Sequence, residues 1–263
     1  MCESRGKMND ERGYELSDEA LEELESDVMS ASAPIAQVHA ERNAAEERAD
    51  YLLSQLDQAD SRVKARYGRW LVNADQELQD QLALLAEDPQ GLARGFEGQL
   101  ELCEGVLDAP WGPGPALLNH HTLGAFAQAL GQYLLIACND PSVVLAGERG
   151  EADLPLCRVV AEVLASFGVV TYLAAYAQEA SAVAELVVGK HADAGICLTA
   201  SPEGACGPVK VLGCDGEPLC EAACKQINAS LRDVDMFDDI RRFDLRKALR
   251  EGLVIPLDKG KSS

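Results

Sequence analysis

Apolar and polar positions change rhythm three times along this chain. Over residues 1–31 apolar side chains are sparse, and between Asp10 and Asp27 nine acids face a single base. Such a stretch cannot bury enough apolar surface to offset the entropy of ordering it, so a solvated acidic tail is expected. From Pro34 a seven-residue rhythm begins. Ile35, Arg42, Ala49, Leu56 and Val63 form one row, and Val38, Ala45, Leu52, Ala59 and Arg66 the other. This heptad register predicts a helix over residues 32–66, with Pro34 suited to its first turn. Alanines and two arginines weaken the seam. It could pair with a second copy of itself, engage another protein, or lie on the following domain.

Helical spacing continues through residues 64–100, with Trp70, Leu71, Leu78, Leu82 and Leu85 on one side. The stretch WGPGP at 111–115 must be a loop, because two prolines and two glycines leave no regular option. A helix follows over 122–136, and then short apolar runs alternate with helical patterns. Strands are expected at 142–147, 169–174, 194–200 and 208–213, and helices at 157–168, 180–192 and 220–231. That alternation predicts a three-layer α/β/α sandwich with a mostly parallel mixed sheet over residues 67–258, preceded by the long N-terminal helix and followed by a short tail at 259–263. In such sheets chemistry gathers at the carboxyl ends of the strands. Ser201 follows the end of the third.

Composition narrows the function classes. The 263 residues carry a formal net charge of −21, which leaves no basic face for nucleic acid and disfavours anionic membrane surfaces. No apolar run reaches the roughly 20 residues needed to span a bilayer, and no basic-then-apolar leader opens the chain. The nine cysteines include no C-x2-C pair and there are only four histidines, so no metal site is expected. Cys220 and Cys224 sit one helical turn apart, but small thiols of a reducing cytosol are the simpler reading, and the expected compartment is the cytoplasm. His120 and His121, beside Asn119 at a helix start, read as capping or surface residues.

Several stretches in order resemble one family. WLVNADQEL (70–78), DAGICLTAS (193–201), KVLGCDGEPL (210–219) and VDMFDDIRRFDLRKALREGLV (234–254) are similar to segments of domain 1 of the α-D-phosphohexomutases, the phosphoglucomutases and phosphomannomutases. The resemblance runs from Arg66 to Pro256. It implies that Ser201 stands where that family keeps a phosphoserine, which passes its phosphate to a hexose phosphate with a Mg²⁺ stabilising the charge. It also implies that Lys210 stands where a lysine downstream of the loop contributes to substrate binding.

The departures are as specific as the matches. The family's T-A-S-H-N-P motif is here Thr199, Ala200, Ser201, Pro202, Glu203 and Gly204, so the imidazole and amide after the serine are gone. A glutamate beside a phosphoserine repels it. The loop F-G-T-[AG]-G-L-R falls on Leu102 to Asp108, which keeps Gly105 and Leu107 but turns the arginine into Asp108. The D-S-R after the first buried strand becomes Glu148, Arg149 and Gly150, and R-P-T-P falls near Gln178 to Ser181 with neither arginine nor proline kept. The chain ends about seven residues after the resemblance does, so the family's metal loop, sugar loop and phosphate-binding domain would have to come from elsewhere. These readings predict a catalytically silent domain acting as an interaction or regulatory module. No cofactor is expected for this chain alone, and Mg²⁺ only with a complete mutase; sugar phosphate should not bind unaided. The alternative is the phosphoserine-carrying subunit of a split mutase.

Overall fold

The structure is a computed structural model that describes residues 35–54, 56, 60–202 and 204–257. The acidic tail over 1–31, Glu203 and the tail over 259–263 lie outside the described residues. Contacts divide the chain into two compact units, Met1–Glu47 and Arg48–Ser263. Of the first, the described part is the start of helix α1 (Ile35–Ser54), where Arg42 pairs with Glu46 one turn on at 3.2 Å.

The single helix expected over 32–66 is interrupted. A second helix, α2 (Ser61–Asn73), starts afresh because the Asp60 carboxylate accepts from Arg62 N and caps it. The seam positions Ala49, Leu56 and Val63 are buried in the second unit's own core with Tyr67, Trp70 and Leu71. That unit therefore begins ahead of the boundary expected at 66/67. The continuous helix expected over 64–100 is likewise three short ones, α2, α3 (Gln76–Leu85) and α4 (Pro89–Phe96). Asp75 and Asp88 cap the later two, and Pro89 occupies the first turn of α4, where its missing N–H costs nothing. Arg66 reaches back to the carbonyls of Phe96 at 3.1 Å and Gly98 at 3.0 Å, closing the carboxyl end of α4.

A seven-stranded sheet forms the rest of the unit: β1 (Leu102–Cys103), β2 (Val106–Leu107), β3 (Ser142–Gly147), β4 (Val170–Ala174), β5 (Ala194–Ala200), β6 (Cys206–Gly213) and β7 (Val254–Leu257), in the order β1-β2-β6-β5-β3-β4-β7. The block β5-β3-β4-β7 is parallel, while β6, β2 and β1 pair antiparallel. Five strands, β2, β3, β4, β5 and β7, run one way and β1 and β6 the other, so the sheet is the mostly parallel mixed one expected. The reversal of β6 is local in origin: only residues 201–205 join β5 to β6, too few for the crossover that parallel pairing requires.

Residue alternation builds the three layers. Val143, Leu145, Ile196, Leu198, Val209 and Val211 point to one face and pack with α5 (His120–Ala137), α6 (Leu154–Ser166) and α8 (Glu221–Asp233). Val144, Ala146, Cys197 and Leu212 point to the other and pack with Val183 and Val187 of α7 (Ala180–Lys190). Strands buried on both faces read as continuous apolar runs, which is why VVLAG and AGICL stand out in the sequence. A last short helix, α9 (Leu245–Arg250), leads into β7, whose Pro256 sits on an edge strand where a missing N–H is tolerated.

Candidate functional site

Because β2 and β6 are antiparallel and β6 and β5 are too, β2 runs with the parallel block. The ends of β2, β3 and β5 therefore share one edge of the sheet, where Asp108, Glu148 and Ser201 follow their strands.

The loop after β5 is closed upon itself. Ser201 N donates to Ala205 O at 2.8 Å, and Gly204 N donates to Ser201 O at 2.9 Å, with Gly204 in the left-handed region at φ +79°. Thr199 is buried, its hydroxyl donating to Pro208 O at 2.6 Å. A side chain at Gly207 would meet Thr199 Oγ1 at 2.7 Å, so glycine lets β6 approach β5 here. Trp111 Nε1 donates to Gly207 O at 2.9 Å and ties the 111–115 loop to the same spot. The Ser201 Oγ atom is buried and has no hydrogen-bond partner among the described residues.

Glu148 bonds to the residues just ahead of Ser201. Its backbone N donates to Leu198 O at 2.9 Å, and its carboxylate Oε2 accepts from Ala200 N at 2.8 Å. Arg149 turns the other way. Its Nε donates to Asp153 Oδ1 at 2.7 Å and its N to Asp153 Oδ2 at 2.9 Å, while its guanidinium also touches Cys206 Sγ. Asp153 is 0% exposed, so this arginine neutralises a buried carboxylate. Gln178 N donates to Gly147 O at 3.1 Å, which brings the segment after β4 to the same edge. Burial pushes the Cys197 thiol up to about 12, with Glu148 adding to the shift, and raises Cys206 to about 11 against the pull of Arg149. Neither is poised as a thiolate.

Lys210 is not brought to this loop. It is exposed and lies opposite Cys197 in the β5–β6 register, four residues short of Ser201 and about 13 Å back along the strand. Asp108 is exposed one residue past the Leu107–Val209 pair. Glu203, read from the sequence as the repelling neighbour of Ser201, lies outside the described residues. Glu148 instead carries the negative charge bonded into the loop.

Other residues near this edge serve the scaffold. Glu104 and Gly105, at φ +50° and +73°, make the tight β1–β2 turn, and a Cβ on Gly105 would lie 2.7 Å from both Val211 O and Leu219 N. Asn119 and Thr122 form a reciprocal capping box on α5, and Asn119 Nδ2 holds the carbonyls of Gly112 and Gly114 at 3.0 and 3.1 Å.

Residues 112–236 match the family model for phosphoglucomutase/phosphomannomutase, alpha/beta/alpha domain I. Over these residues the chain is similar to domain I of the α-D-phosphohexomutases. Relatives include the phosphoglucomutases of Staphylococcus haemolyticus, 25% identical over 174 residues (61% of this chain, 32% of that one), and Staphylococcus saprophyticus, 27% identical over 188 residues (70% and 34%). The chain thus spans about a third of the length of these curated relatives. Among solved structures, a putative phosphomannomutase from Thermus thermophilus matches with a TM-score of 0.44 at 22% identity, covering 54% of this chain and 30% of that one. No helix among the described residues is long and apolar enough to cross a membrane.

Sequence reasoning missed one grouping within this domain. His120 and His121 open α5, and Asp75, 45 positions earlier, meets them: His120 Nε2 lies 2.7 Å from Asp75 Oδ2. Burial lowers the affinity of both imidazoles for protons, that of His121 to about 4 with His120 beside it adding to the shift. Nothing in the spacing of the chain announces this meeting, because it depends on how α3 docks beside α5.

Proposed function

We propose that this domain I is catalytically silent and works as an interaction or regulatory module of phosphohexomutase ancestry. The observation that carries the reading is the engagement of Ala200 N–H by the Glu148 carboxylate. A phosphoserine at position 201 would need donors around its phosphate. The amides of Ala200, Ser201 and Gly204 already donate to Glu148, Ala205 and Ser201 itself. Glu148 adds negative charge where a dianion would arrive, and Arg149, next to Glu148 in the chain, is held by Asp153.

The Mg²⁺ of the family does not fit the residues present. Divalent magnesium wants several oxygen ligands, and among the described residues no trio of His, Cys, Asp or Glu ligand atoms converges on Ser201. The second reading, a phosphoserine-carrying subunit of a split mutase, is favoured by Ser201 Oγ having no internal partner. Incubation of the full chain with glucose 1,6-bisphosphate, followed by intact mass, separates the two. The silent domain keeps its mass, whereas a gain of one phosphate mapped to Ser201 supports the subunit.

A further inference from the structure

We propose that Asp75, His120 and His121 form a binding site for one divalent transition-metal ion. One ligand atom from each of the three lies within 4.8 Å of the other two. A four-coordinate zinc-type ion with bonds of about 2.0–2.1 Å places its ligand atoms about 3.3 Å apart, so small side-chain adjustments close the set. Two imidazole nitrogens and one carboxylate oxygen suit ions of borderline softness such as Zn²⁺ or Co²⁺, whereas Mg²⁺ and Ca²⁺ prefer oxygen alone.

The surroundings orient each ligand. Asp75 is the N-cap of α3, with Oδ1 accepting from Leu78 N at 3.1 Å, which leaves Oδ2 turned to His120. Asn119 caps α5 and fixes the backbone immediately ahead of both histidines. The His121 ring is held edge-on to Trp70, 5.5 Å between centroids, and lies 4.9 Å from Phe237. Its Nε2 is buried without a hydrogen-bond partner among the described residues. Such an orphaned nitrogen in a half-buried ring is the second observation pointing to a ligand, since buried polar atoms are normally satisfied.

The three residues line a cavity with Gly124, Phe237 and Arg242. Arg242 is the opposing charge on that wall, and Glu162, nearly buried, takes it up with contacts of 2.6 and 2.7 Å. A three-residue ligand set leaves one coordination position open to water from the cavity. The site is independent of Ser201 and of the silent-domain reading.

The test is a titration of the full, tag-free chain with Co²⁺, followed by its visible spectrum and by Zn²⁺ competition. One Co²⁺ per chain is expected, with ligand-field bands and no thiolate charge-transfer band, which separates this site from the cysteines. Asp75→Asn and His121→Gln should each weaken binding about tenfold or more. Asparagine caps a helix as well as aspartate, so Asp75→Asn retains the fold, checked by circular dichroism. Absence of saturable binding, a thiolate band, or unchanged affinity in both variants would each overturn the proposal.

Discussion

Strand β5 and the few residues after it make opposite use of polar groups. From Ala194 to Leu198 every residue is buried, side chains alternate between two apolar layers, and backbone ladders satisfy both sides. At the loop, Glu148, Asp153 and Arg149 spend their bonding capacity on the chain itself, and the serine hydroxyl is left with none. A mutase needs unsatisfied donors at this edge to receive phosphate. Here the polar groups of the edge work as structural fasteners, which is what the proposed silent domain rests on.

The sharpest way to break that contrast is to remove a fastener. Arg149→Ala leaves Asp153 as an uncompensated buried carboxylate and should cost about 3–5 kcal/mol. Urea unfolding checks this, and a loss under about 1 kcal/mol, the scale of an exposed ion pair, would return Arg149 to the role of a spare cation. Ile196→Ala, 0% exposed in the core, should cost about 2–5 kcal/mol through its cavity. Ser201→Ala should move stability the other way, raising it by up to about 1 kcal/mol, because a buried hydroxyl without a partner is removed. A clear loss on the same urea series would reveal a bond to Ser201. Glu148→Gln should change stability least, by about 1 kcal/mol or less, since an amide oxygen can still accept from Ala200 N.

Thiol labelling probes the same divide without mutation. Cys103, Cys214 and Cys220 are exposed and should react quickly with an aromatic disulfide reagent. Cys157 and Cys197 are buried with thiols pushed up to about 12, and should react only on unfolding. Fast reaction of Cys197 would mean that the edge above β5 opens.

How much of this was legible in the sequence follows from burial. Strands β3 and β5 have their expected bounds because apolar runs flanked by polar turns admit little else. The reversal of β6 was hidden in loop length, and the helix start at Asp60 in a single capping carboxylate that the heptad rhythm overrode. Ser201 was legible through its place after β5. The grip of Glu148 on Ala200 was not, because it joins residues 52 apart across neighbouring strands. Lys210 matched by order along the chain, yet strand register sets it well back from the loop.

The central claim is that this carboxyl edge does not receive phosphate. Amide resonances of Ala200, Ser201 and Gly204, followed while glucose 1,6-bisphosphate is added to the full chain, test it most directly. The account predicts shifts no larger than those of exposed loop amides elsewhere. Saturable shifts confined to these three residues would contradict it.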